Sequence, residues 1–292
     1  MRSCWWAERA NSAVKSLGDV AADNPSTSLN HDEISRFYDR IGSKTLLDDT
    51  ARYGCESVPP FLAAPYRQID AIIQQLRRVG KSSFLDLCCG PGAYSVYAAK
   101  LGFDVVGIDI SAVSIAAATH LAEVQQVSDR CRFVVGDALT SLNQETFDVI
   151  FIGSALYYLD LHAALDFVRA HLKADGEFIC IETYGDNPIM SVYRRLRARV
   201  RGDRDAPTLT RLLGERQIAQ LRRAFPTSHV RYYGFLTLVG LVLVPLPIVG
   251  QRYEAIARKI DRLLLNRFGF HRWSFNFVFH GNRAVDEPDL DP

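Results

Sequence analysis

The sequence predicts an α/β fold built on a doubly wound parallel sheet. Five short apolar runs, which start near residues 83, 104, 131, 147 and 177, alternate with stretches of helical periodicity. Continuous apolar strands separated by helices are typical of a parallel sheet that is covered on both faces. A glycine turn, "DLCCGPG", leads from the first run directly into a helix, which is a common arrangement for holding a nucleotide cofactor.

Composition limits the classes of function. The chain has 292 residues, of which 48% are hydrophobic and 23% charged, and its net charge is +1. This balance is that of a globular protein and offers no argument for a nucleic-acid or membrane partner. The six cysteines show no zinc-type spacing, so we expect no metal site and a reduced, cytoplasmic protein. Glu8 and Arg9 interrupt the N-terminus before any apolar run, so no secretory signal is predicted.

Four segments follow from the pattern along the chain. Residues 1–30 are polar and aperiodic, which predicts a mobile tail. Residues 31–81 contain two amphipathic helices, "HDEISRFYDRIGSKTLLDD" and "PYRQIDAIIQQLRRVG", which we expect to cover the cofactor site. Residues 82–183 carry the alternating strands and helices of the binding core. Residues 184–292 form the C-terminal part of the same domain, with insertions that cover the substrate.

Local signals place the elements more closely. Ser111 is expected to cap the helix "AVSIAAATHLAEV", and Asp160 is expected to cap "LHAALDFVRAHLK". Two late runs, "HVRYYGFLTL" and "WSFNFVFHGN", are rich in aromatic and β-branched residues and are predicted to be strands.

The glycine turn and the strand ends carry the binding chemistry. Gly90 and Gly92 allow the backbone to approach a ligand closely. Asp109 ends the second strand, where a carboxylate can accept both ribose hydroxyls of an adenosine. To this point nicotinamide and flavin cofactors remain open alternatives.

Three features favour a sulfonium cofactor. The turn lacks the GxGxxG spacing that a pyrophosphate needs, and it opens with Asp86, whose charge repels a phosphate but attracts a sulfonium cofactor. Asp137 follows the third strand, where it can accept from an adenine amine. The fourth strand ends at residues 154–158, next to the first strand at the predicted switch point of the sheet.

Five motifs in order resemble the class I S-adenosylmethionine-dependent methyltransferases: "FLDLCCGPG", "VVGIDIS", "VVGDAL", "FDVIFIGSALYYL" and "LKADGEFICIE". The likeness covers about residues 82–182 and, more loosely, "WSFNFVFHGN". Cys88 stands where that family usually has glycine, which predicts a small shift in how the methionine tail is held. The resemblance implies a Rossmann-like sheet of seven strands, with the last strand antiparallel, and S-adenosylmethionine as the cofactor.

The resemblance also implies a role for each matched residue. The methionine moiety would lie beside Asp86, Gly90 and Gly92, with Ser154 near the sulfonium. The adenosine would be held by three groups of contacts: Asp109 on the ribose, Ile110 on the adenine ring, and Asp137 with the N–H of Ala138 on the adenine edge. Tyr38 resembles the aromatic residue that closes over the cofactor in these enzymes.

The acceptor side is less sharply defined. Tyr157 follows the fourth strand, while Glu182 and Tyr184 follow the fifth, so all three are expected to face the acceptor; His162 is a further catalytic candidate. The insertions are rich in Phe, Tyr, Leu and Val, which favours methylation of oxygen or carbon in a mainly apolar small molecule, in biosynthesis.

Alternatives remain open at this stage. One is a membrane-associated lipid or quinone acceptor, with a peripheral membrane contact through residues 235–250. Another is a partner protein that binds the cofactor without catalysis. Six arginines between 194 and 204 are read as a solvated helix face, with an anion site as the alternative.

Overall fold

A computed structural model describes residues 52–58, 62–192, 211–236 and 247–283, together with four helical positions near the N-terminus: Ser35, Arg36, Asp39 and Ser43. Within these ranges the chain forms one seven-stranded sheet in the order β3-β2-β1-β4-β5-β7-β6. The strands are β1 (Ser83–Leu87), β2 (Asp104–Asp109), β3 (Cys131–Val135), β4 (Phe147–Gly153), β5 (Leu172–Thr183), β6 (Thr227–Tyr233) and β7 (Asn276–Asn282). The helices are α1 (Ala63–Arg78), α2 (Ala93–Lys100), α3 (Ala112–Val124), α4 (Leu161–His171), α5 (Glu215–Ala224) and α6 (Pro247–Arg267).

The strand directions confirm the predicted fold class. β1 pairs in parallel with β2 on one side and with β4 on the other. The order of the strands therefore reverses between β1 and β4, which is the switch point of the sheet. β7 runs antiparallel to both β5 and β6, as the resemblance implied for the last strand. The carboxyl ends of β1, β2 and β4 therefore meet at one edge, where doubly wound sheets bind ligands.

The apolar strands bury both faces of the sheet. On one face Phe84 and Val149 pack with α1 and α2, and on the other Leu85 and Ile150 pack with α4 and α5. The two sets alternate along each strand, because successive side chains point to opposite faces. Both predicted helix caps are confirmed: Ser111 Oγ accepts from the Ser114 N–H at 2.9 Å, and Asp160 Oδ1 accepts from the Ala163 N–H at 2.9 Å.

Both late strands are shorter than the sequence predicted. β6 ends at Tyr233, because Gly234 adopts a left-handed φ of 82° that breaks the extended run. Residues Phe270–Trp273 form a short 3-10 helix, so β7 begins at Asn276 and not at Trp273. Neither change alters the pairing of the sheet.

Parts of both insertions lie at the carboxyl end of β5. Asn187, which is 2% exposed, donates to the carbonyls of Trp273 and Ser274 at 2.9 and 2.7 Å and so ties the flanks of the two insertions together. Helix α6 closes the edge of the sheet, because Asn266 bonds both the N–H and the carbonyl of Tyr232. The expected tail, Tyr38, the arginine run 194–204 and residues 237–246 lie outside the described residues.

Candidate active site

The glycine turn after β1 is built from left-handed residues. Cys88, Gly90 and Gly92 have φ values of 58°, 52° and 78°. A Cβ added to Gly92 would lie 2.7 Å from the Cβ of Ala118, so this glycine is needed for close packing against α3. A Cβ added to Gly90 would have no neighbouring atom within 4 Å, so Gly90 borders open space suited to a ligand. The left-handed backbone at Cys88 explains why glycine is preferred at this position, because such backbone is costly for other residues.

Asp109 fixes the shape of this turn. Its carboxylate accepts from the N–H of Gly90 at 2.8 Å and from the N–H of Ser111 at 2.9 Å. The side chain is 4% exposed, and burial raises the pKa of its carboxyl group. A carboxylate has about four acceptor sites, so two backbone bonds leave capacity for ribose hydroxyls. The residue therefore has a structural role besides the binding role that the resemblance implies.

Asp86 points toward α2 and lies below the turn. Its Oδ2 accepts from the Ser95 hydroxyl at 2.6 Å, and the carboxyl group is 2% exposed. Burial raises its pKa to about 7, although the bonds from Ser95 oppose this shift. The carboxyl group is thus poised to become ionised when a cation binds nearby.

The residues expected to contact adenine lie at the ends of β2 and β3. Ile110 is partly exposed directly after β2. Asp137 Oδ1 accepts from the Leu139 N–H at 2.8 Å, which folds residues 137–139 into a tight turn with Ala138 buried. Gly136 joins this turn to β2 through a bond of 2.9 Å to the Asp109 carbonyl. The structure therefore brings the predicted adenine contacts to the same edge as Asp109.

Ser154 meets a tyrosine that the sequence analysis did not select. It follows β4 with a left-handed φ of 56°, and its side chain lies near enough to the phenol of Tyr66 to oppose the rise that burial causes in the pKa of that phenol. Tyr66 lies in the first turn of α1, with Ile69 and Ile73 at the helical spacing that faces the sheet. That spacing was the available signal, since it places the Tyr66 ring on the buried side of the helix.

Glu182 lies at the end of β5, with one carboxyl oxygen bonded to the backbone and the other unbonded within the described residues. The side chain is fully buried; Oε1 accepts from the N–H groups of Ala155 and Leu156 at 3.1 and 2.8 Å. Oε2 is buried without any hydrogen-bond partner among the described residues. Burial raises the Glu182 pKa to about 8, and its charge also helps raise the pKa of Tyr66. An unsatisfied buried carboxyl oxygen is costly and indicates a functional site.

Four carboxyl groups surround the turn, and burial keeps two of them, Asp86 and Glu182, partly protonated near pH 7 until a cation binds. Burial raises the pKa of the Cys88 thiol above its usual value, and four carboxyl groups add to the shift: Asp109, Asp86, Glu182 and Asp137. Four carboxyl groups within electrostatic reach of one turn attract a cation and repel a pyrophosphate. Together with the open space at Gly90, this charge fits a sulfonium cofactor that carries an ammonium group.

The tyrosines after β4 and β5 take different positions. Tyr157 is partly buried in the short helix Leu156–Tyr158, with its ring 4.3 Å from the ring of Tyr158. Tyr184 is fully buried, and its hydroxyl donates to Glu215 at 2.9 Å. The Tyr184 phenol is thus bonded to α5, and the expectation that it faces the acceptor stays a prediction.

His162 lies apart from the other candidate residues. It is exposed on α4, and its Nε2 is 3.5 Å from the side-chain nitrogen of Gln220 on α5. Because its side chain is exposed and faces Gln220, a catalytic role for His162 stays a prediction. In the described part of the chain no group of three His, Cys, Asp or Glu side chains could hold a metal ion.

Known proteins share both the sequence pattern and the fold. Residues 84–176 match the model of a methyltransferase domain family. The chain is 33% identical over 122 residues to demethylmenaquinone methyltransferase of Lactiplantibacillus plantarum (strain ATCC BAA-793 / NCIMB 8826 / WCFS1), covering 40% of this chain and 52% of that protein. It thus spans about half the length of this curated relative.

Two solved structures resemble the whole fold. Geranyl diphosphate C-methyltransferase from Streptomyces coelicolor A3(2), in complex with Mg2+, geranyl diphosphate and S-adenosyl-L-homocysteine, is similar with a TM-score of 0.56 at 16% identity, covering 90% of this chain and 100% of that chain. The 4+2 cyclase SpnF is similar with a TM-score of 0.53 at 16% identity, covering 88% and 98%. At these identities the structures establish the shared fold.

The family assignment rests on agreement between independent features. The domain model covers the segment that carries the glycine turn and β1–β4, and the five motifs fall on or directly after β1 to β5 of the observed sheet. Residues 84–176 therefore carry a methyltransferase domain, and the chain resembles the class I S-adenosylmethionine-dependent methyltransferases in its motifs and its fold.

Proposed function

We propose that the protein transfers a methyl group from S-adenosylmethionine to an oxygen or carbon of a mainly apolar small molecule. The observation that carries the proposal is Glu182 Oε2, which is buried at the end of β5 without a hydrogen-bond partner in the described part of the chain. Tyr66 and Ser154 lie beside this carboxyl group. The site thus combines a glycine turn suited to the cofactor with one buried carboxyl oxygen, Glu182 Oε2, that bonds to no other described residue.

The cofactor-binding part of the proposal rests on charge and space. The bound sulfonium would supply an activated methyl group with its leaving group already in place. Asp86 and Asp109 would offset its positive charge and hold the ribose, while Gly90 leaves room for the methionine tail. The chain's main contribution is then alignment of the acceptor and exclusion of water.

The acceptor part rests on Glu182. When a cation binds nearby, the pKa of this carboxyl group falls and Oε2 becomes an anionic acceptor. If the acceptor atom is a hydroxyl oxygen, Oε2 can take its proton; if it is an alkene carbon, the carboxylate stabilises the positive charge that develops. The rings of Tyr66 and Tyr157 provide apolar and π-face contacts for the same substrate.

Binding and turnover measurements test the proposal. Calorimetry should show binding of S-adenosylmethionine and its demethylated product, and no binding of NAD. Incubation with a panel of phenols, enols and prenyl compounds should then give a mass gain of one methyl group. Tight NAD binding without sulfonium binding would overturn the cofactor assignment. Cofactor binding without transfer to any acceptor would favour the non-catalytic alternative. The similar fold of a cyclase shows that this fold alone does not fix the reaction.

A quinone or lipid acceptor is the second candidate. The observation in its favour is the 33% identity to a demethylmenaquinone methyltransferase. Pairs of acceptors that share a head group and differ only in tail length distinguish the two candidates. A preference for the long tail would support a lipid-like acceptor, whereas equal turnover would support a small soluble one. A cytoplasmic location is part of the proposal, because the described cysteines are all free thiols.

A further inference from the structure

The outer face of α6 exposes a row of large apolar side chains. Ile256, Ile260 and Leu263 are 60%, 39% and 55% exposed, and they recur at the spacing of one helix face. Phe268 and Phe270 continue the row after the helix, at 65% and 47% exposed. Half of the ten exposed large hydrophobic side chains in the described residues lie within these 15 positions, so the cluster is not the scatter found on ordinary surfaces.

The opposite face fixes the helix firmly to the domain. Ala257 and Leu265 are buried at 2% and 1% exposed. Asp261, at 4% exposed, accepts from the N–H groups of Phe235 and Leu236 at 3.1 and 2.8 Å. The apolar row is therefore held outward by a rigid attachment, and it cannot turn into the core without breaking these bonds.

Positive charge surrounds the row. Lys259, Arg262, Arg267 and Arg272 are all exposed within or just after the helix. Between residues 256 and 272 the single acidic residue is Asp261, which is turned inward. Residues 256–272 thus expose apolar groups beside cations and no acid of their own, which is complementary to a layer of anionic lipid head groups.

We propose that the α6 surface, defined as the exposed side chains of residues 256–272, docks on an anionic lipid bilayer. A second copy of the chain fits less well, because two-fold pairing of this surface would bring its cations together without acidic partners. The proposal does not rest on the methyl-transfer activity. It also differs from the contact expected through residues 235–250, most of which the structure does not describe. No helix in the described ranges is long and apolar enough to cross a membrane, so the contact proposed is peripheral.

Vesicle sedimentation with the full chain tests the proposal. Wild-type protein should bind vesicles of phosphatidylcholine mixed with phosphatidylglycerol, and should bind pure phosphatidylcholine more weakly. The triple variant Lys259→Gln, Arg262→Gln, Arg267→Gln should lose about fivefold in partition coefficient for each charge removed, and added salt should weaken wild-type binding. The variant Ile256→Ser, Leu263→Ser should lose more than about tenfold, because both side chains would enter the lipid interface.

The matched control is Val79→Ser, Val124→Ser, which removes side chains that are 61% and 52% exposed elsewhere on the surface. It should bind vesicles as the wild type does. The charge variant keeps every buried contact, so it tests the proposal even if the apolar variant misfolds. Absence of vesicle binding, or binding that neither α6 variant changes, would overturn the proposal. The proposal would also be overturned if the wild type were a dimer that the α6 substitutions dissociate, and if neither the wild type nor the variants bound vesicles.

Discussion

Replacement of Glu182 by glutamine separates the structural role of this side chain from its chemical one. Oε1 accepts two backbone N–H bonds, from Ala155 and Leu156. The glutamine carbonyl can keep both bonds, so the Leu156–Tyr158 helix and the cofactor cradle should stay in place. The change removes only the oxygen that has no partner, together with the charge. Alanine would be a poorer test, because two buried N–H groups would lose their acceptor at about 1–3 kcal/mol each.

The expected loss is large and depends on pH. If Oε2 removes a proton or stabilises a developing cation, Glu182→Gln should lower turnover by about 10²–10⁴-fold with cofactor affinity retained. With a pKa of about 8, about a tenth of the free enzyme is ionised at pH 7. Wild-type kcat/KM should therefore rise toward pH 8 and then level off, whereas the profile of the variant should be flat. Bound cofactor lowers the Glu182 pKa, so the midpoint for kcat should lie below that for kcat/KM.

Stability gives a second readout with a defined sign. The Glu182 pKa is raised from 4.5 in the unfolded chain to about 8 in the fold, so the unfolded chain loses this proton first. The stability linked to the protonated group is fully present below pH 4.5 and is lost as the pH rises through 8. Glutamine cannot ionise, so the variant should lose less stability than the wild type between pH 5 and 9, with the Asp86 contribution unchanged.

Glu177→Gln is the matched control. Glu177 lies in the middle of the same strand, is 7% exposed, and is bonded to His280 at 2.8 Å. Its replacement should leave turnover and its pH profile unchanged. Turnover is followed by mass spectrometry of the methylated product, and affinity by calorimetry. Wild-type turnover in Glu182→Gln, with the same pH profile, would refute the role proposed for Oε2.

Three further changes test the cradle and the acceptor side. Gly90→Ala should keep the fold, at a cost of about 1 kcal/mol for its left-handed backbone. It should lower cofactor affinity by more than about tenfold in calorimetry, because the added Cβ meets no described protein atom and would occupy the ligand's space. Asp109→Ala should weaken cofactor binding by about 1–3 kcal/mol and, because Gly90 and Ser111 lose their acceptor, should also lower the denaturation midpoint. Tyr157→Phe keeps the ring and should change turnover little, whereas Tyr157→Ala should lose more than about tenfold, or ~1.4 kcal/mol, in a turnover assay.

Each of these predictions has a contradicting outcome. Wild-type affinity in Gly90→Ala would place the cofactor away from that glycine. Gly92→Ala is the comparison: it should lower stability, because its Cβ would collide with Ala118. Unchanged affinity in a folded Asp109 variant would remove that residue from the site. Loss of turnover in Tyr157→Phe, with cofactor binding intact, would show that the hydroxyl is essential and that a positioning role is insufficient.

Local sequence determined most of the fold. Apolar runs separated by helical periodicity predicted the parallel strands, because a strand buried on both faces must be apolar at successive positions. The caps at Ser111 and Asp160 and the glycine turn were also visible, since each depends on residues a few positions apart. The carboxylates at the ends of β1, β2 and β3 followed from the same reasoning, because the carboxyl ends of neighbouring parallel strands meet at one edge.

Only the tertiary structure decided how distant side chains meet. The contact between Tyr66 and Ser154 joins α1 to the end of β4. Glu182 Oε1 accepts from the N–H groups of Ala155 and Leu156, which leaves Oε2 without a partner among the described residues. The hydroxyl of Tyr184 likewise finds its acceptor, Glu215, on a later helix. Periodicity shows which face of an element is apolar, but the partner of a side chain depends on packing between segments far apart in the chain, which no local pattern encodes.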